Sequence, residues 1–320
     1  VTAPDLITGE SIREAARGLE GVAVRTPLER IDPLSEIARV PVYLKLESRQ
    51  PTGAFKLRGA WTAVRHLTPA ARAKGVITYS SGNHGQALAF AARRTGVRAV
   101  IVMPETAPAA KVNGVRHWGG EVVLAGTTSE DRFAKAHALA REQGLTVIPP
   151  FDHPDIIAGQ ATVGLEIVEQ LPDVEEVAAP VGGGGLAAGI AAAIAAFKPT
   201  TRLITVEPEG SAALAAAVRA GRIVRLERTA SVADGLLPLA VGVLPFAHLR
   251  GRAEPVTVTE AAIIEATHWL YFEQQLLVEP SGAVTTAALR SGALVPRGPT
   301  VLVVSGGNVD PAAIARLSAA

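Results

Sequence analysis

The stretch EVAAPVGGGGLAAGIAAAIAAFKPTTRLITV, Glu176 to Val206, decides the fold. It opens on a short apolar run, turns through four consecutive glycines, continues as an alanine-rich helix from Ala187 to Phe197, and closes on a second apolar run, Arg202–Val206. Strand, tight loop, helix, strand is a βαβ unit, whose two strands lie parallel. Val177 to Phe197 carry no charge over 21 positions, which is long enough to span a bilayer. Pro180 and the glycine run break that stretch, so strand, turn and buried helix is the better reading.

The same alternation runs to either side. Apolar runs at 40–46, 75–79, 98–103, 121–124, 146–148 and 300–304 read as strands. Helical patterns fall at 86–94, 107–118, 130–143, 157–170, 260–273 and 310–318, with another after Glu279-Pro280-Ser281-Gly282. Strands without polar alternation suit sheets covered on both faces. The expected class is α/β, with two open, mainly parallel twisted sheets flanked by helices. Ligands in such folds sit at the carboxyl ends of strands, so the loops just after the strands are the places to search.

Composition narrows the chemistry. The chain has 320 residues, enough for about two domains. Its 31 basic and 30 acidic residues nearly cancel, which argues against a nucleic-acid reader. With no cysteine, disulfides, thiolate metal sites and cysteine nucleophiles are excluded. Seven scattered histidines form no zincin motif, and no Gly-x-Ser-x-Gly marks a hydrolase. The N-terminus lacks the pattern of a signal peptide, so a soluble, cytoplasmic protein is expected. Six lysines remain as candidates for amine chemistry: Lys45, Lys56, Lys74, Lys111, Lys135 and Lys198.

Four post-strand loops stand out. Ser48 to Lys56 places a lysine near a helix start, where the helix dipole disfavours a cation. That position suits either a solvated surface lysine or an amine with a lowered pKa, free to act as a nucleophile. Ser80-Ser81-Gly82-Asn83-His84-Gly85 offers hydroxyls, an amide and an imidazole at a helix N-terminus, a cradle for a carboxylate. Gly182 to Gly185 and Leu186 lack the Lys-Ser/Thr of a nucleotide loop, yet they let backbone N–H groups approach a phosphate. Ser305-Gly306-Gly307-Asn308 is a fourth small-residue loop. A ligand with a phosphate, an electrophile for lysine and a small anion beside it would use the first three loops together. Pyridoxal phosphate with an amino acid has all of these features.

Taken in order, Ser48 to Ala60 (SRQPTGAFKLRGA), Ser80 to Gln86 (SSGNHGQ), the tetraglycine and Ser305 to Asn308 (SGGN) resemble the serine/threonine dehydratase and serine racemase family of fold-type II pyridoxal-phosphate enzymes. The resemblance covers essentially the whole chain and is to the short, catabolic type. It implies a tryptophan synthase β-like fold, with a small mobile domain at 66–149 inserted into a large cofactor-binding domain at 1–65 and 150–320. It implies that Lys56 holds the cofactor as a Schiff base and moves the Cα proton. Phe55 would flank the ring, Asn83 would bond its 3′-oxygen, and Gly182 to Leu186 would bind phosphate. Ser305 would partner the ring nitrogen; a serine there, rather than an aspartate, favours elimination over transamination. Gly235 and Glu279 match positions near the cofactor. Ser80, Ser81, Asn83 and His84 match the substrate loop, and Ser81 matches the racemase base on the face opposite Lys56. The implied reaction is dehydration and deamination of L-threonine or L-serine to a 2-oxo acid and ammonia, by a homodimer.

Three points stay open. Family members with a divalent-cation site carry Glu-Pro and a second carboxylate about six residues after that glutamate. Here Glu207-Pro208 is present but the matching position is Ala213, which puts metal activation in doubt. The apolar segment Gly235–Phe246 suits either core packing or a pocket for a less polar side chain. Racemase activity, and dehydration of 3-hydroxyaspartate or phenylserine, remain alternatives. A nucleotide oxidoreductase would explain the glycine loop and Glu207 but leave Lys56 and Ser80–His84 unused. A non-catalytic pyridoxal-phosphate carrier would use the loops without releasing a 2-oxo acid.

Overall fold

The computed structural model describes residues 4–80 and 82–317. Ten strands are found among them: β1 (Leu28–Arg30), β2 (Val42–Leu46), β3 (Val76–Thr78), β4 (Ala99–Met103), β5 (Glu121–Leu124), β6 (Thr146–Val147), β7 (Glu176–Pro180), β8 (Arg202–Pro208), β9 (Ala253–Val258) and β10 (Thr300–Val304). They form a six-stranded sheet in the order β1-β2-β10-β7-β8-β9 and a four-stranded sheet in the order β5-β4-β3-β6. Every pairing is parallel except β1 with β2 at one edge. The α/β class with two mainly parallel sheets is therefore as the sequence pattern predicts.

The apolar runs lack alternation because both faces of each sheet are covered. Val301 and Val303 of β10 join one core with Val177, Leu203 and the alanine-rich helix. Leu302 and Val304 point the other way, into a core with Ile204, Val206 and the buried helix Pro280–Arg290. The small sheet divides likewise, with Val76, Ile101 and Met103 on one side and Ile77, Val100 and Val102 on the other.

Several boundaries shift for local reasons. The helix expected from Gln86 begins at Asn83, which places Asn83 and His84 in its first turn. The helix expected from Ile157 begins at Pro154, a residue favoured in a first turn, with His153 Nδ1 accepting the Asp155 N–H. The helix expected over 260–273 ends at His268 and continues as a π-helical turn, Trp269–Glu273. Strand β9 contains Pro255, which lacks an N–H; it takes an edge position, where a missing donor is tolerated. Residues 177–197 form strand, loop and helix, and no helix among the described residues is long and apolar enough to cross a membrane.

Candidate active site

The loops after β2, β3, β7 and β10 converge, as the carboxyl ends of parallel strands should. Lys56 is the first residue of the helix Lys56–Arg65. Its Nζ donates to the Pro150 carbonyl at 2.7 Å and lies 5.0 Å from the centre of the Phe55 ring. Burial pulls the amine down to about pKa 8, with the Glu279 charge acting in the opposite direction. The Phe55 N–H donates to the Ser305 carbonyl at 3.1 Å, which joins the lysine loop to the end of β10.

Phe151, next to Pro150, packs against the glycine loop. A Cβ on Gly183 would lie 2.2 Å from the Phe151 ring, and one on Gly182 would lie 3.0 Å from the Gly235 carbonyl. Gly184 caps the helix Gly185–Phe197, and Leu186 is buried in its first turn. The first N–H groups of a helix have no partners within it, and here they are reached through a loop free of Cβ atoms. Gly183→Ala is expected to displace the Phe151 ring and to raise the dissociation constant for pyridoxal phosphate at least about tenfold, since poor cradling weakens charge-assisted bonds. An absorbance titration of the apoprotein checks this.

Across the site, Asn83 Nδ2 donates to Glu279 Oε1 at 2.6 Å. Glu279 caps the helix Pro280–Arg290 and is buried, which raises its pKa to about 7; Asp234 adds to the rise, while Asn83, Lys111 and Lys56 oppose it. The Gly235 N–H donates to Ser281 Oγ at 2.9 Å, and Ser305 Oγ lies 3.5 Å from the Ser281 carbonyl, a long contact that leaves the hydroxyl available. Lys111 pairs with Asp234 beside Gly235. Ser80 is half-buried on the loop after β3, and Ser81 lies outside the described residues.

His84 differs from expectation. It is buried, and burial with the Lys56 charge pushes its pKa down to about 3, so the ring is neutral. Its Nε2 faces the Ile148 carbonyl at 3.1 Å and therefore carries the only ring N–H. The ring has no donor left for a carboxylate; the backbone N–H of the first helical turn is what His84 can offer. Glu207 is also committed elsewhere. Its two oxygens accept the Leu214 and Ala215 N–H groups at 2.7 and 2.8 Å, capping the helix Ala213–Ala220. Among the described residues no group of three or more metal-binding side chains occurs. In Gly235–Phe246, Val241, Leu244 and Phe246 belong to the core beside the alanine-rich helix, while Gly235 and Leu236 approach Gly182.

No sequence pattern assigns a role to Pro150, Phe151, Ser281 or Asn308. A backbone carbonyl such as that of Pro150 leaves no mark in sequence. Asn308 was visible as part of its motif, but its partners are not adjacent in the chain.

These residues fit pyridoxal phosphate. A buried lysine with a lowered pKa can attack its aldehyde, and the glycine loop at a helix start can hold its phosphate. Thr52 Oγ1 and His84 Nδ1, both buried in these loops, are among the buried polar atoms that have no partner among the described residues.

Known proteins agree with this fit. The pattern of the family described as pyridoxal-phosphate dependent enzyme matches residues 19–306. An L-threonine ammonia-lyase of Thermotoga maritima is 39% identical over 313 residues, covering 98% of this chain and 78% of its own. The structure of maize serine racemase superposes with a TM-score of 0.93 at 34% identity, covering 98% of this chain and 97% of its own. Threonine deaminase isoform 2 from Solanum lycopersicum, in its processed form, gives 0.88 at 35% identity, with 99% and 90% covered. Because the family pattern and these likenesses run nearly end to end through every loop that meets at Lys56, the chain belongs to the pyridoxal-phosphate dependent enzyme family.

Proposed function

We propose that this chain is an ammonia-lyase acting on a 3-hydroxy amino acid such as L-threonine or L-serine, releasing a 2-oxo acid and ammonia. The observation that carries this reading is the buried Lys56 amine, with its pKa near 8, where the post-strand loops meet. Relatives named for threonine ammonia-lyase and threonine deaminase activity support the reaction class.

Bound pyridoxal phosphate supplies an aldehyde for the substrate amine and a conjugated ring that takes the electron pair left when Cα loses its proton. Lys56 Nζ takes that proton, which an amine half neutral near pH 8 can do. Phe55 covers one side of the site, and the glycine loop holds the phosphate. Asn83 would orient the ring through its 3′-oxygen, while Ser80, Ser81 and the first-turn N–H groups of helix Asn83–Thr95 would take the substrate carboxylate. Ser305, whose hydroxyl is held only by a long contact to the Ser281 carbonyl, would present that hydroxyl and no negative charge to the ring nitrogen. Gly235 and Glu279 complete the wall.

We also read 66–149 as a small mobile domain, because all four strands of the small sheet fall within that range. The reading further includes a homodimer, as the family resemblance implies, and a cytoplasmic location. Serine racemase activity is the second reading, favoured by the maize likeness. A panel of L-threonine, L-serine, 3-hydroxyaspartate and phenylserine, assayed separately for 2-oxo acid and D-isomer, tests both. Release of 2-oxo acid from L-threonine or L-serine is the expected result. D-isomer without 2-oxo acid would transfer the assignment to a racemase.

A further inference from the structure

Asn308 ends the Ser305–Asn308 loop, and the function proposed above makes no use of it. Its Nδ2 donates to the Thr52 carbonyl at 2.7 Å and to Asn83 Oδ1 at 2.8 Å. Asn83 Nδ2 in turn donates to Glu279 Oε1 at 2.6 Å. The direction of this relay follows from its ends. A backbone carbonyl only accepts, so Asn308 must turn its NH2 towards Thr52. The same NH2 meets the Asn83 oxygen, which leaves the Asn83 NH2 facing the Glu279 carboxyl group. Flipping either amide would set two acceptors against each other.

The lysine loop is shaped for this contact. Gly53 has a φ of +71°, and a Cβ there would lie 2.2 Å from Asn308 Oδ1. A residue with a side chain would be strained and would also displace the amide. One side chain therefore ties the turn before Lys56 to the first turn of the Asn83 helix.

We propose that Asn308 is a positioning residue that locks the Asn83 amide with its N–H, not its oxygen, turned to the cofactor. Glu279 takes one of the two Asn83 N–H groups, and the other is the one offered to the cofactor oxygen. This inference rests on the role proposed above for Asn83.

The test compares the unmodified apoprotein with Asn308→Asp and Asn308→Ala. Each is titrated with pyridoxal phosphate, and both the dissociation constant and the absorption maximum of the bound cofactor are read. Asp keeps the shape but replaces the donor by an acceptor, so Asn83 must flip and its oxygen replaces the N–H at the site. Ala leaves Glu279 alone to orient Asn83. Positioning predicts a dissociation constant raised at least about tenfold in Asn308→Asp, a smaller rise in Asn308→Ala, and a shifted absorption maximum in Asn308→Asp only. A packing role predicts the reverse order, because only Ala removes volume. The reverse order, an unchanged Asn308→Asp, or failure of both variants to fold would each overturn the proposal. Adding Glu279→Gln to Asn308→Asp gives the flipped Asn83 oxygen a donor. The melting temperature of the apoprotein should then recover while cofactor affinity does not; recovery of both would make the relay purely structural. Failure of the role proposed for Asn83 would look different, since Asn83→Ala would then leave both the dissociation constant and the absorption maximum unchanged.

Discussion

Lys56→Ala is expected to lose turnover by about 10²- to 10⁴-fold, the contribution typical of a positioned proton-transfer group. It should also lose the covalent link to the cofactor. Borohydride reduction of the unmodified holoenzyme should fix pyridoxal phosphate on the peptide carrying Lys56, and the variant should yield no such peptide. The physical basis is the lowered pKa. A lysine at its ordinary 10.5 is almost wholly protonated at pH 8, whereas burial brings Lys56 to about 8 and leaves roughly half of it neutral. Capture of pyridoxal phosphate by the apoprotein should therefore speed up with pH and level off above about 8. The Glu279 charge acts in the opposite direction, so Glu279→Gln should move that inflection lower. Turnover in Lys56→Ala within a few-fold of the unmodified enzyme would show that another group removes the proton.

What the sequence revealed and what it hid divide along a physical line. Strand β10 and the alanine-rich helix were legible because an apolar period needs no partner to be recognised. The glycine loop was legible because four missing side chains are costly anywhere that backbone N–H groups are not in use. Strand β9 was not, because Pro255 carries the mark of a non-strand and only its edge position excuses it. The capping role of Glu207 was hidden for another reason. A carboxylate that accepts two N–H groups from the next helix has the same local sequence as one free to bind a cation. The neutral state of His84 depends on burial and on Lys56, neither of which can be counted from spacing. Lys45 was visible as a charge in an apolar strand, but its partners Glu166 and Gln170 are more than a hundred positions away.

That last cluster leads to the largest stability effect expected. Arg58 lies two residues after Lys56 on the same helix, and its side chain is 1% exposed. It bonds Glu47 through Nε at 2.8 Å and Nη2 at 2.7 Å, and Glu166 through Nη1 at 2.6 Å and Nη2 at 3.0 Å. Burial opposes its charge, but the two carboxylates more than offset this and hold its pKa above the usual arginine range. Glu47 is likewise kept ionised despite full burial, chiefly by Arg58. Arg58→Ala removes the cation that both carboxylates share; Glu47 keeps only the neutral donors Thr26 and Gln50, and Glu166 keeps Lys45, a lysine whose own pKa burial lowers. Breaking a buried pair from one side costs about 3–5 kcal/mol, a large part of the roughly 5–15 kcal/mol that a folded protein has. Arg25 provides the control, since it bonds Glu169 at 2.6 Å but is 52% exposed. Arg25→Ala should change stability by about 1 kcal/mol or less. Urea unfolding of both apoproteins compares them directly, and equal midpoints would sink the argument from burial. The network also ties down the first turn of the helix carrying Lys56. At urea concentrations where Arg58→Ala is still folded, it should bind pyridoxal phosphate more weakly than Arg25→Ala, because its lysine is no longer held against the Pro150 carbonyl.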